Sequence, residues 1–98
     1  MITIHVQAAS HTKQATQLVQ AAISAEIARL ELALEMARKR LTPFERKYDV
    51  TSGHFYAEMA AEDLDGGDDE YVRLAGEFSL WQRLQDKLGH LKEIRYVD

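Results

Sequence analysis

Residues 23–41 read ISAEIARLELALEMARKRL, and the spacing of the apolar residues in this stretch decides the fold. They recur at alternating intervals of four and three, which places them on one stripe of an α-helix that packs against another helix. The stripe consists of Ile23, Ile27, Leu30, Leu34, Ala37 and Leu41. Since no Gly or Pro occurs over residues 12–41, we expect one unbroken helix there, roughly 45 Å long.

A second apolar stripe of helical spacing lies in residues 69–94 and carries the largest side chains of the chain. Its members are Tyr71, Leu74, Phe78, Trp81, Leu84, Leu88 and Leu91. Burial of one large apolar side chain contributes about 1.5 to 3 kcal/mol, so we expect helix packing to dominate stability. The two stripes predict a helical hairpin whose interface contains Ile23, Ile27, Leu30, Leu34, Leu41, Leu74, Phe78, Trp81, Leu84 and Leu88.

The connector between the two helices, residues 42–68, is predicted to contain one short helix. Pro43 is expected to end the first helix, because proline disfavours helical backbone in the residue before it. Thr51 is a good N-cap, and Val50 can pack on Phe55 inside a helix over residues 52–62. Residues 65–68 read DGGD, a sequence typical of a turn.

The N-terminal segment, residues 1–9, predicts a β-strand over residues 2–7. Ile2, Ile4 and Val6 alternate with polar residues, the period of a strand with one covered face. Residues 94–97 alternate weakly and could be its mate or a frayed helix end. Otherwise the strand pairs with a second copy, with a partner's sheet edge or with water.

These elements predict a mainly α protein of a single domain, residues 1–98. The composition is 46% apolar, contains no cysteine and offers no apolar run of about 20 residues that could cross a bilayer. The formal net charge of −4 disfavours general affinity for nucleic acid. We therefore expect a cytoplasmic protein without a membrane partner.

No pattern of reactive residues marks a catalytic, metal or cofactor site, and none is predicted. His54 and Glu58 lie one helical turn apart, but two ligands do not make a metal site. Gly66 and Gly67 are flanked by acids that would repel a phosphate. A strand followed by helices is similar to the opening of ribbon–helix–helix repressors, but that fold needs a break that residues 12–41 lack.

A catalytic alternative comes from the helix pattern. The small all-helical chorismate mutases also consist of a long helix, a shorter one and a return helix. Arg29, Lys39 and Gln82 would then serve as the substrate-binding side chains, but the basic opening motif of that family is missing.

Residues 41–56 read LTPFERKYDVTSGHFY, and an acidic glycine turn and a helix with Trp81 follow. Over residues 23–92 this pattern resembles small helical antitoxins of bacterial and archaeal toxin–antitoxin pairs. The residues that carry the resemblance are Phe44, Glu45, Tyr48, Phe55, Tyr56, Gly67, Asp68 and Trp81. The resemblance implies a non-catalytic protein whose helices hold a partner.

The charge distribution suggests where such a partner would bind. No Lys or Arg occurs between Lys47 and Arg73, a stretch rich in acids. The predicted function is a homo-oligomeric interaction module that neutralises a cognate toxin of basic, nuclease-like character. The alternative is a structural homodimer without a client. The predicted partner surface consists of Phe55, Tyr56, Glu62, Asp65, Asp68 and Asp69.

Overall fold

The computed structural model describes residues 2–7 and 12–97. Its elements are strand β1 (Ile2–His5), helix α1 (Thr12–Tyr48), helix α2 (Ser52–Glu58), a 3-10 helix (Ala61–Asp63), helix α3 (Gly67–Lys92) and strand β2 (Ile94–Val97). The predicted class is confirmed: a mainly α chain forms a long helical hairpin with a short connecting helix and an N-terminal strand. Residues 1, 8 and 9 of the predicted N-terminal segment lie outside the described residues.

The prediction that Pro43 ends the first helix is wrong, because α1 continues through it to Tyr48. The proline ring faces solvent, whereas Phe44 and Tyr48 pack against the core. A proline inside a helix costs about 3 kcal/mol, and burying two aromatic side chains supplies a contribution of at least that size. Tertiary packing therefore overrides the local preference.

The chain reverses after α1 through a left-handed C-cap. Asp49 has a positive φ of 51°, and the Val50 N–H donates to the Glu45 carbonyl at 3.2 Å. This is the bond pattern of a Schellman motif. Thr51 then caps α2 as predicted, because its Oγ1 accepts a hydrogen bond from the His54 N–H at 3.0 Å. Helix α2 ends at Glu58, earlier than predicted, and the 3-10 helix follows.

The main core lies at the connector end of the hairpin, where α1, α2, the 3-10 helix and α3 meet. Its buried members are Leu41, Phe55, Leu64, Leu74 and Phe78. Gly67 enters α3 with a φ of +59°, a conformation that L residues adopt at a cost. The glycine therefore lets the chain turn directly from the 3-10 segment into α3.

The N-terminal strand pairs with the C-terminal end of its own chain. Strands β1 and β2 run parallel, with Ile2 opposite Ile94 and His5 opposite Val97. Helix α3 ends where Lys92 comes within 3.9 Å of Glu31, near the middle of α1. Strand β2 follows directly and also contacts α1.

The molecule is an elongated rod of 62 × 20 × 19 Å. Its radius of gyration is 19.2 Å, against about 12.6 Å for a compact domain of this length. Its solvent-accessible surface is 6858 Å², whereas a compact monomer of its mass exposes about 5,700 Å². A single copy thus exposes roughly 1,200 Å² more than a compact monomer would. No helix in the described part of the chain combines the length and apolarity needed to cross a membrane.

Candidate functional site

The two predicted stripes meet within one chain and form the α1–α3 interface of the hairpin. Five of the predicted interface residues are buried: Leu30, Leu41, Leu74, Phe78 and Leu88. The other five are half-buried: Ile23, Ile27, Leu34, Trp81 and Leu84. Two helices alone cannot enclose both flanks of their interface, so open grooves remain along the hairpin.

The two aromatic residues predicted for the partner surface occupy different environments. Phe55 is 1% exposed, and its ring lies 5.4 Å from that of Tyr71 in the core. Tyr56 is 48% exposed. Successive residues of a helix point about 100° apart, so α2 buries Phe55 and presents Tyr56 to solvent. Phe55 is therefore a core residue, and of the two only Tyr56 is available to a partner.

Tyr56 begins a row of three aromatic rings that crosses from α2 to α3. Its ring lies 5.1 Å from that of Phe78, which stacks on Trp81 at 5.8 Å. A groove beside Phe78 and Trp81 has Arg38 at its polar rim. A second groove, between α1 and α3, is also lined by Arg38 and Trp81. We call this surface the aromatic groove. It is defined by Tyr56, Phe78, Trp81 and Arg38.

A half-buried carboxylate, Glu45, fixes the rim of the aromatic groove. Glu45 accepts hydrogen bonds from the Ser52 N–H at 2.8 Å and the Ser52 hydroxyl at 2.9 Å, and it pairs with Arg38 at 2.8 Å. Burial opposes ionisation of Glu45, but the hydrogen bonds from Arg38 and Ser52 outweigh it and lower the pKa of the carboxyl. The carboxylate thereby ties the C-terminal turns of α1 to the first residue of α2.

A second carboxylate, the buried Glu70, joins the end of α1 to the start of α3. It accepts hydrogen bonds from the Tyr48 hydroxyl and from Lys47 Nζ at 3.1 Å. The hydrogen bond from Tyr48 is the largest cause of the lowered pKa of Glu70, and the bond to Glu70 raises the pKa of Lys47. The Tyr48 oxygen in turn accepts the Asp65 N–H at 3.0 Å.

The Glu70 cluster (Lys47, Tyr48, Asp65 and Glu70) has a structural role. Its carboxylate is saturated by donors and held in the ionised form, so it is a poor proton acceptor for catalysis. The partners of Glu70 lie more than twenty positions earlier in the chain, and no local pattern identifies so distant a contact.

The acids of the connector differ in how far the fold neutralises them. Asp65 makes a long ion pair of 3.7 Å with Lys47, and Asp63 accepts the Ala60 N–H at 2.8 Å. Six acids are exposed and enter no ion pair within residues 2–7 and 12–97: Asp49, Glu58, Glu62, Asp63, Asp68 and Asp69. The connector end thus keeps unneutralised negative charge, and this includes three of the predicted partner residues.

The residues named for a mutase-like site do not converge. Arg29 pairs with Glu26, and Lys39 pairs with Glu35 at 3.4 Å. Both lie on the solvent side of α1, about 15 Å apart along its axis. Gln82 is also exposed. A site that binds two carboxylates needs cations that point into one pocket, and these side chains point into solvent.

The described part of the chain lacks the arrangements that a ribbon–helix–helix repressor or a metal site would require. Helix α1 has no break and β1 pairs with β2, whereas a ribbon–helix–helix repressor needs a break and pairs strands between copies. His54 and Glu58 both lie on α2, and no three His, Asp or Glu side chains among the described residues form a group that could hold a metal.

A second apolar stripe of α1, which the sequence prediction did not include, lies on the solvent side of the helix. Leu18 is 72% exposed, Leu32 58% and Met36 51%. Together with Ala22, Ala25 and Arg29 they alternate at intervals of four and three, a heptad pattern. We call these six residues the outer stripe. The spacing is readable in the sequence, but the alanines and the arginine make it weaker than the buried stripe.

Comparisons of this chain with protein-family models, with curated proteins and with solved structures find no match. The features that bear on function are therefore the aromatic groove, the exposed acids and the outer stripe.

Proposed function

We propose that this protein is a non-catalytic interaction module that binds a protein partner through the aromatic groove. The observation that carries the proposal is the half-exposed ring of Tyr56, packed on Phe78 and continuous with Trp81 beside an open groove. Tyrosine, tryptophan and arginine supply most of the binding energy at protein interfaces. All three residue types occur here on rigid helices, so a partner would find an ordered surface.

The exposed acids of the connector give this surface its charge preference. Glu62, Asp68 and Asp69 carry charges that no cation of the described chain neutralises. Such a surface attracts a basic partner and raises its association rate, an effect that salt screens. The fitting client is a protein with a positively charged binding face.

The specific form of the proposal is an antitoxin that acts in the cytoplasm and neutralises a small, basic, nuclease-like toxin. Its support is the resemblance of residues 23–92 to small helical antitoxins, together with the acidic connector. By covering a basic active site, the connector would block access of nucleic acid to it. The protein would act as a homo-oligomer, which agrees with the excess surface of a single copy.

Co-expression with the product of the neighbouring gene tests this function. The expected result is a complex that purifies as one species and relief of any growth defect that the neighbour alone causes. Replacement of Asp68 and Asp69 by Asn should weaken the complex at low salt and change it little at high salt. Asp86→Asn, an exposed acid far from the connector, is the matched control. Affinity that is unchanged at every ionic strength would contradict an electrostatic surface.

A further inference from the structure

The outer stripe of α1 is an apolar surface that the fold leaves uncovered over about 27 Å of helix. Its six members are exposed, with Arg29 at the edge of a groove between α1 and α3, and none of them lines the aromatic groove. Residues in a heptad pattern pack well against another helix, because the side chains at the two apolar positions of each heptad insert between side chains of the facing helix. The occupant must therefore offer a helix with a matching stripe of similar length.

We propose that this occupant is a second copy of the chain, with the two α1 helices packed antiparallel through their outer stripes. The inference deepens the homo-oligomer part of the proposed function and requires no client. The proposed dimer interface is separate from the predicted hairpin interface, whose two stripes pack against each other within one copy.

The order of residues in the outer stripe favours the antiparallel orientation. With the two-fold axis near Ile27, Leu18 meets Met36 of the other copy, Ala22 meets Leu32, and Ala25 meets Arg29. Four of the six layers then set a large side chain against an alanine, the arrangement that fills space between helices. A parallel, in-register pair would instead place Arg29 against Arg29 and leave two successive layers of alanine.

The charges beside the stripe agree with the same orientation. Arg29 is the one charged residue among the six and pairs with Glu26 in a single copy. In the antiparallel pair, Arg29 of each copy comes beside Glu26 of the other. The two carboxylates and two guanidinium groups then alternate around the axis, so no unpaired charge is buried between the helices.

The surface area supports a dimer of standard size. Each copy exposes roughly 1,200 Å² more than a compact monomer of its mass. A stable interface buries about 800 Å² per partner. The excess surface is thus sufficient for one interface of this kind, and the outer stripe is its most apolar exposed part on α1.

Sedimentation equilibrium on the purified chain tests the proposal. We expect twice the monomer mass of 11.2 kDa at micromolar concentration. Leu32→Gln should raise the dissociation constant at least about tenfold, because it places an amide in the contact layer. The matched control is Val72→Gln, which alters another exposed apolar residue, 69% exposed on α3, and should leave the dimer unchanged. Since Leu32 and Val72 are both exposed, circular dichroism should report intact folding for each variant.

Cross-linking tests the orientation, and the absence of cysteine from the chain makes single substitutions clean probes. In the antiparallel pair, a short thiol cross-linker should join Ala22→Cys to Leu32→Cys when the two variants are mixed, and should join neither variant to itself. Self-linking of each variant would overturn the orientation. A monomer at all concentrations, or a dimer that Leu32→Gln does not weaken, would overturn the interface. Client binding through the aromatic groove would remain measurable in either case, so the two proposals fail separately.

Discussion

Replacement of Phe55 by Ala tests whether this residue holds the fold together. Phe55 is 1% exposed and packs in the core with Leu41, Leu64, Leu74 and Phe78. Truncation of a buried phenylalanine removes its transfer free energy and leaves a cavity, at a cost of about 3–5 kcal/mol. A domain of this size has a total stability of roughly 5–15 kcal/mol. We therefore expect Phe55→Ala to lose a large fraction of the free energy of unfolding.

The neighbouring residue supplies the control. Tyr56 is 48% exposed, and its ring packs on that of Phe78 at 5.1 Å. An aromatic pair contributes about 0.5–1.5 kcal/mol beyond its buried area, so Tyr56→Ala should destabilise the protein by about 1 kcal/mol. The ranking reverses for partner binding, where the exposed ring of Tyr56 is expected to matter directly.

Urea denaturation monitored by far-UV circular dichroism measures both variants. We expect a similar m-value and a much lower midpoint for Phe55→Ala, because the native state keeps its extent of burial while losing free energy. In thermal melts, Phe55→Ala should unfold about 15–25 °C below the parent chain. A loss below about 1 kcal/mol, or one equal to that of Tyr56→Ala, would refute the assignment of Phe55 to the core.

Four further substitutions probe the backbone and the buried carboxylate of Glu70. Pro43→Ala should stabilise the protein by about 1–3 kcal/mol in urea, since it restores an N–H donor to α1 at an exposed position, and a lower midpoint would contradict this. Gly76→Ala should gain about 1 kcal/mol, because nothing lies within 4 Å of the added Cβ. Gly66→Ala should destabilise in the same assay, because its Cβ would lie 2.7 Å from Glu70 Oε2. Because the pKa of Glu70 is lowered, its ionised carboxylate contributes fully to stability above the ordinary pKa of 4.5. This contribution is lost as the pH falls through the pKa of Glu70 in the folded state. Tyr48→Phe should therefore flatten the fall of stability with acid, and an unchanged slope would contradict the role of the hydroxyl.

The sequence predicted those features that depend on local periodicity and capping. The stripe from Ile23 to Leu41 and the aromatic stripe of α3 identified the hairpin, because helix packing needs apolar residues at regular spacing. Thr51 identified the start of α2 for an equally local reason, the acceptor that its side chain offers to the first turn. The predicted class depended on these patterns alone.

The features that the sequence did not predict depend on contacts between distant residues. Helix α1 passes Pro43 because Phe44 and Tyr48 find the core formed by α2 and α3. The pairing of β1 with β2 joins segments near the two ends of the chain. From the sequence, pairing with a second copy or with a partner's sheet edge was equally possible. For the candidate site, the acids were readable as charges, but the burial of Phe55 beside an exposed Tyr56 depends on how α2 docks.

The distribution of the core connects the two proposed surfaces. The main core, the hydrogen bonds of Glu45 and the Glu70 cluster all lie at the connector end. They hold the aromatic groove in one geometry. The outer stripe lies outside this core, since Leu18, Leu32 and Met36 are each more than half exposed. Regions with few buried contacts open more readily than the core. A second copy on the outer stripe would therefore stabilise the exposed side of α1 and leave the connector end free for a client.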